Sequence, residues 1–183
     1  MDINLRPARP EDAEEMARWF VDLTDLAAWG GPEVSFPLTA DQLAAWIAEA
    51  ANERPRICFT AVGSNGLPIG HVQFLREPAR QWARLGRFVV ARSLRGKGFG
   101  RALFDKSVRM AFEELDVDQL DLAVVPENAL ARGLYTRSGF RDIGTMPGSW
   151  MIDGKPFVMN LMRLAREDWR KRTPVPAGAG KVA

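Results

Sequence analysis

The sequence predicts an α+β fold, a mixed α/β sheet flanked by helices. Three observations point there. "RICFTAVG" (56–63) and "LPIGHVQFL" (67–75) are strand-like runs on either side of "SNG" (64–66), where Asn-Gly readily takes the positive φ of a tight hairpin turn. The apolar spacing then changes: Leu103, Phe104, Val108, Ala111, Phe112 and Leu115 recur every three to four residues, as on one face of a helix. The predicted order β-α-α-β-β-β-α-β-α-β-β mixes hairpins with strand-helix-strand crossovers.

Each element has a local cause. "INLRPA" (3–8) alternates as a short strand does, and "RPEDAEEMARWFVDL" (9–23) puts proline and acidic residues at a helix start. The Gly and Pro content of "WGGPEVSFP" (29–37) makes it a loop. In the next helix, "LTADQLAAWIAEAAN" (38–52), Thr39 is the expected N-cap and Gln42 sits at the capping-box position. "ARLGRFVVA" (83–91) reads as a third antiparallel strand, and the long helix runs on from Gly98. A strand at "QLDLAVV" (119–125), a helix at "ALARGLYTRSG" (129–139) and strands at "FRDIGTMPGSWMI" (140–152) and "KPFVMNLMRL" (155–164) complete the series. One domain is expected over 1–172, with "TPVPAGAGKVA" (173–183) as a flexible tail because it has no apolar face.

The totals exclude several classes. A chain of 183 residues, 46% hydrophobic, suits one domain with a substantial core. Its 25 basic residues against 23 acidic leave a net charge of +2, too small a bias to imply nucleic-acid binding, even with a pI near 9.0. The basic stretch "RLAREDWRKR" (163–172) is interrupted by Glu167 and Asp168. A single cysteine, Cys58, excludes an internal disulfide and reads as a small core residue. With His71 as the single histidine, the soft ligands of an ordinary zinc site are missing, and no metal is expected. No apolar run approaches the ~18 residues that span a bilayer, so the expected location is cytoplasmic, with no membrane partner.

"LRGKGFGRAL" (94–103) concentrates glycine and positive charge where a strand hands over to a helix. A P-loop would need G-x-x-x-x-G-K-[ST], which is absent, and a dinucleotide fingerprint would need glycine where Arg101 stands. What remains is R-x-x-G-x-G at Arg95, Gly98 and Gly100. The first turn of a helix leaves backbone N–H groups unpaired, and glycines let an anion approach them. Arg95, Lys97 and Arg101 add full charges, which makes a pyrophosphate the natural ligand.

About thirty residues on, after an apolar strand, "PENALARGLYTRSGF" (126–140) carries Asn128, Ala131, Tyr135 and Gly139-Phe140 in the pattern N-x-x-A-x-x-x-Y-x-x-x-G-F. In motifs, order and spacing, this stretch and "FVVARSLRGKGFGRAL" (88–103) together resemble the GCN5-related N-acetyltransferase (GNAT) superfamily. The resemblance takes in most of the chain, from "LRPARPEDAEEM" to the closing strand pair. It implies a central, mostly antiparallel sheet with a splayed strand pair that holds coenzyme A, and acetyl-CoA as cosubstrate.

The resemblance also assigns residues. The loop Arg95, Gly96, Lys97, Gly98, Phe99, Gly100 and Arg101 would hold the pyrophosphate on its amides. The backbone of Phe88, Val89 and Val90 would bond the pantetheine arm as an added strand does. Asn128 would bond the same arm, or cap its helix, or both. Tyr135, two turns on and on nearly the same face, would act as general acid toward the departing thiolate. Ser138, Gly139 and Phe140 read as a helix stop and strand entry.

The general base stays unassigned. Family members that acetylate protein N-termini often carry glutamate on the strand matching "LDLAVV", where this chain has Ala123. Glu33 and Glu77 are the remaining weak candidates, and His71 reads as a partly buried strand histidine. In the family the acceptor pocket lies between the first two helices and at the final strand pair. There Trp29, Phe36 and Trp150 would enclose a substrate and Asp22, Asp25 and Glu33 would attract a cationic amine, although Trp19, Phe20, Trp46 and Phe36 read first as core.

The resulting expectation is an N-acetyltransferase acting on the primary amine of a small molecule or peptide. The alternative is a non-catalytic acyl-CoA binding or sensing domain. A homodimer stays open, since the last strands of such domains often mediate one in the family.

Overall fold

A computed structural model describes residues 3–31, 34–48, 55–152 and 155–172. The tail at 173–183 and Glu33 therefore lie outside the described residues, as does the side chain of Trp150. The elements are β1 (Asn4–Pro7), α1 (Asp12–Ala17), α2 (Leu23–Gly30), α3 (Ala40–Ala48), β2 (Arg56–Val62), β3 (Pro68–Glu77), β4 (Trp82–Val90), α4 (Phe99–Glu113), β5 (Gln119–Val124), α5 (Ala129–Arg137), β6 (Arg141–Ile152), β7 (Lys155–Ala165) and α6 (Arg166–Arg172).

The strands form one seven-stranded sheet in the order β1-β2-β3-β4-β5-β7-β6. Every neighbouring pair is antiparallel except β4 and β5, which run parallel. On one face α4 and α5 bury Phe104, Phe112 and Tyr135 against Phe74, Leu85, Leu122 and Met162. On the other, α1, α2 and α3 bury Met16, Trp19, Leu26, Leu43 and Trp46 against Cys58, Val89 and Ala91.

Two departures from the sequence reading concern helices. The single helix expected over 9–23 is two, because Asp22 caps a fresh start: its side chain accepts from the Asp25 N–H at 2.8 Å, and α2 then runs through the residues expected to begin a loop. Gly31, at φ +92°, ends it. The closing helix α6 was not expected. Its charges are sorted, with Glu167 and Asp168 in the first turn and Arg170, Lys171 and Arg172 in the last, which complements the helix dipole. The interruption in a basic run is thus a helix signature.

Buried polar groups join the layers. Asp12, at the start of α1, is 4% exposed and accepts from Thr60 Oγ1 of β2 at 2.6 Å, from the Arg9 N–H at 2.9 Å and from Arg6 of β1. Asp121 of β5, equally buried, takes a two-pronged bond from Arg163 of β7, at 2.7 and 2.8 Å, and the Trp82 indole N–H of β4 at 2.9 Å. It thereby pins three strands at one end of the sheet.

At the other end the sheet opens. β4 pairs with β5 only over Trp82–Leu85 and Gln119–Leu122; beyond them β4 continues to Val90 against β3 alone, and β5 to Val124 against β7 alone. A bulge drives the separation. Between His71 and Gln73 the partner on β4 moves from Val89 to Gly86, so β4 carries an extra residue, and Arg87 there has φ +45°. The extra residue also exchanges faces: Leu85 lies under α4 and α5, whereas Val89 and Ala91 lie under the N-terminal helices.

Candidate active site

The opening between β4 and β5 is a cleft of about 460 Å³. One wall is the β4 arm, Phe88 to Val90, and the other is the first two turns of α5, from Asn128 to Tyr135; α2 closes the end with Asp25 and Trp29. The loop into α4 contributes Arg95 and Gly96, and the first turn of α4 contributes Gly100 and Arg101. Of the residues that the sequence assigns to a cofactor, Lys97, Gly98 and Phe99 do not line it. Phe99 packs beside the buried Ile3 and Leu103, and Lys97 is exposed.

Glycines set the backbone of this loop. A short turn over Arg92–Leu94 ends the strand, Gly96 takes φ +74°, and Gly98, the N-cap of α4, takes φ +85°. Both glycines occupy left-handed backbone that other residues rarely adopt. At Gly100 a Cβ would meet only Val90 Cγ2, at 4.0 Å, so what glycine preserves there is open space toward the cleft.

The cations divide their work in a way the sequence did not reveal. The Arg95 guanidinium donates to the carbonyls of Val90, at 3.2 Å, and Trp19, at 3.3 Å, and so staples its loop to β4 and to the chain just past the end of α1. Arg101 is held by Asp105 one turn on, at 2.7 Å, and stays half exposed at the cleft mouth.

Asn128 does cap α5: its side-chain oxygen accepts from the Ala131 N–H at 3.1 Å, which leaves its amide nitrogen to the cleft that the residue lines. Tyr135, two turns later, is buried against Phe104, with ring centroids 4.9 Å apart, and lines the same cleft. Burial pushes its phenol up to about 12, so the hydroxyl keeps its proton throughout the physiological range.

Of the two base candidates, Glu77 is the one within the described residues, and it does not reach this cleft. Glu77 lies opposite Trp82, seven residues along β3 from Gly70 and the Val90 arm, which is roughly 23 Å of strand, and it pairs with Arg80 at 3.2 Å. Among the described residues Asp25 is the carboxylate that lines the cleft, beside Phe20 and Trp29, whose rings meet at 4.9 Å. Phe20 is therefore both core and wall, while Phe36, read first as core, is 42% exposed. The bulge at Arg87 had a signal in the isolated glycine of "ARLGRFVVA", since glycine inside a strand often marks one.

His71 is completely buried rather than partly so, and it lies under α2 rather than in the cleft, 5.8 Å from the Trp29 ring. Burial, with the Arg87 charge nearby, holds its pKa down at about 3; Asp12 opposes this. Among the described residues no group of three His, Cys, Asp or Glu side chains is placed to hold a metal, and no helix is long and apolar enough to cross a membrane.

The family model for the acetyltransferase (GNAT) domain matches residues 2–141. The chain belongs to the GNAT family. Its sheet, opened between the parallel pair, is the fold of GNAT proteins of known structure. The spermidine N-acetyltransferase of Vibrio cholerae, solved in complex with CoA and spermine, superposes with a TM-score of 0.75 over 91% of this chain and 97% of that one, at 19% identity. A putative phosphinothricin N-acetyltransferase does so with a TM-score of 0.70 over 90% and 98%, at 22% identity. At such identities the likeness is one of fold. In sequence, the chain is 26% identical over 87 residues to the spermidine N(1)-acetyltransferase of Vibrio cholerae serotype O1, a match that spans 48% of this chain and 50% of that relative.

The residues present fit the CoA of the GNAT family. The β4 arm offers an unpaired strand edge to the pantetheine amides, the glycine loop offers amides to a pyrophosphate, and Tyr135 stands on the α5 wall across from that arm.

Proposed function

We propose that this protein transfers the acetyl group of acetyl-CoA directly to the primary amine of a small molecule. The reading rests on one convergence: the arm of β4 that has left β5, the glycine-rich turn into α4 and Tyr135 all line a single cleft. Acetyl-CoA supplies an activated thioester. The chain supplies the rest: a strand edge and an anion seat to fix the donor, and a phenolic proton for the sulfur as its charge develops. An ammonium cannot attack, and the Asp25 carboxylate, beside the Phe20 and Trp29 rings, is the group we assign to draw in a cationic amine and receive its proton.

Polyamines are the first acceptors to test. Spermidine N-acetyltransferases are among the proteins the chain resembles, and Asp25 with its aromatic neighbours suits an alkylammonium. The experiment is release of free thiol from acetyl-CoA across polyamines, amino acids, aminoglycosides and peptide N-termini. Acceptor-dependent release supports the reading. CoA binding with no release against any amine would instead favour an acyl-CoA sensing domain.

A further inference from the structure

A second cleft, of about 760 Å³, adjoins the first. It runs between the outer face of α4, the end of α5 and α6, and Arg101 lines both. Arg101, Lys106, Arg109, Arg137 and Arg172 line it against the lone carboxylate of Asp105. Part of this charge is already engaged: Asp105 holds Arg101 at 2.7 Å, Glu113 lies 3.9 Å from Arg109, and Lys106 donates to the Ile3 carbonyl. Arg137 and Arg172 have no carboxylate partner among the described residues; Arg172 donates to the Arg137 carbonyl at 3.3 Å.

Arg172 is seated by design of the backbone. A Cβ on Gly139 would stand 2.7 Å from Arg172 Nε, and Gly139 has φ +99°, so glycine both makes the corner after α5 and lets the arginine lie across it. Side chains held in this way lose less freedom when they bind an anion than free surface arginines do.

The ligand must be anionic and must be reachable from the pyrophosphate seat, because Arg101 belongs to both clefts. CoA has such a group: its ribose carries a 3′-phosphate beyond the pyrophosphate. From Arg101 to Arg109 the groove follows α4 for eight residues, roughly 12 Å, the scale of a phosphorylated nucleoside. Val108 and Trp169 give it an apolar floor, with Trp169 stacked on Phe112 at 5.0 Å.

We propose that this groove seats the 3′-phosphate of the cofactor's adenosine, with Arg137 and Arg172 as its charged contacts. This rests on the acetyl-CoA reading above. It makes the protein discriminate CoA from 3′-dephospho-CoA, which shares the pantetheine arm and the pyrophosphate.

The test is calorimetric titration of the full chain with CoA and with 3′-dephospho-CoA at fixed ionic strength, which needs no acceptor. CoA is expected to bind about tenfold tighter or more, as charge-assisted bonds to a phosphate give. The variant combining Arg137→Gln and Arg172→Gln should bind CoA only as tightly as 3′-dephospho-CoA, with its affinity for the latter unchanged. Arg18→Gln, which removes one positive charge at the exposed end of α1, away from the groove, should keep the full gap. Equal binding of the two compounds by the unmodified protein overturns the inference and leaves the functional reading intact, whatever the variants do. Binding of neither overturns both.

Discussion

Arg87 Nη1 donates to the side-chain oxygen of Gln73 at 3.1 Å, and that bond fixes the protonation of a third residue. With its oxygen engaged, the Gln73 amide turns its nitrogen toward His71 Nε2, 3.3 Å away. His71 Nε2 must then accept, which leaves the proton on Nδ1, a buried donor with no partner among the described residues. Arg87 also donates to the Gly30 carbonyl at 3.2 Å and lies 3.8 Å from the centroid of the Trp46 ring. The bulge that opens the cleft is thus tied to the end of α2, the helix that carries Asp25 and Trp29.

The buried neutral histidine makes stability depend on pH. Its pKa falls from 6.5 unfolded to about 3 folded, so between these values the unfolded chain binds one more proton than the native one. Stability should be fully present above pH 6.5 and fall by about 1.4 kcal/mol per unit as pH drops toward 3. Asp12, also lowered in the fold, adds its own loss only below its ordinary value of 3.8. Because the chain has one histidine, melts between pH 7.5 and 4.5 read this residue. A melting temperature that stays level over that interval would refute the assignment.

Asp121 should matter to the closed end of the sheet far more than a surface carboxylate would. Its replacement by alanine leaves the Arg163 guanidinium and the Trp82 indole without their shared acceptor, beside the last rungs that join β4 to β5. Arg163 is 38% exposed and water can take over its donors, so the loss is smaller than for a fully buried pair, about 2 kcal/mol. Chemical denaturation should show a loss of that order for Asp121→Ala, and Asp105→Ala, whose partner Arg101 is half exposed, should lose less than about 1 kcal/mol.

The succession of strands and helices and the two segments that line the cleft were legible because each rests on a local signal: Asn-Gly at the hairpin, the change of period at Gly98, and the helix-facing repeat from Asn128 to Tyr135. What was hidden depends on contacts distant in sequence. Nothing near Arg95 says that its guanidinium will reach the carbonyl of Trp19, and nothing near His71 says that α2 will cover it completely. The division of the N-terminal helix at Asp22 was local, but acidic and apolar residues continue through the break and masked the cap.

Two identical substitutions in the glycine loop should move stability in opposite directions. At Gly98, φ +85° is hostile to a Cβ, and alanine there costs about 1–2 kcal/mol. Gly100 lies inside α4 with nothing nearer than 4.0 Å to an added Cβ, and alanine there gains up to about 1 kcal/mol from helix propensity. Thermal melts of the two variants separate the roles, and a loss at Gly100→Ala equal to that at Gly98→Ala would contradict the backbone reading.

Tyr135→Phe isolates the proton from the ring. The ring packs against Phe104 and Phe140 in the wall of the cleft, and the substitution keeps that ring, so the variant should keep its fold and its affinity for CoA. Its kcat should fall about 100-fold or more, the usual contribution of a positioned proton donor. A phenol at about 12 lies well above an ordinary thiol near 8.5, so it hands over its proton only as negative charge collects on the sulfur. The unmodified enzyme should accordingly show no loss of kcat near pH 10, the ordinary value for a tyrosine, as it would if an exposed phenol were the acid. Stability behaves differently: with the folded value raised, it declines as pH climbs from 10 toward 12. Thiol-release rates of both proteins, together with the pH profile of the unmodified one, check these points, and a Tyr135→Phe enzyme with undiminished kcat would reduce the residue to packing.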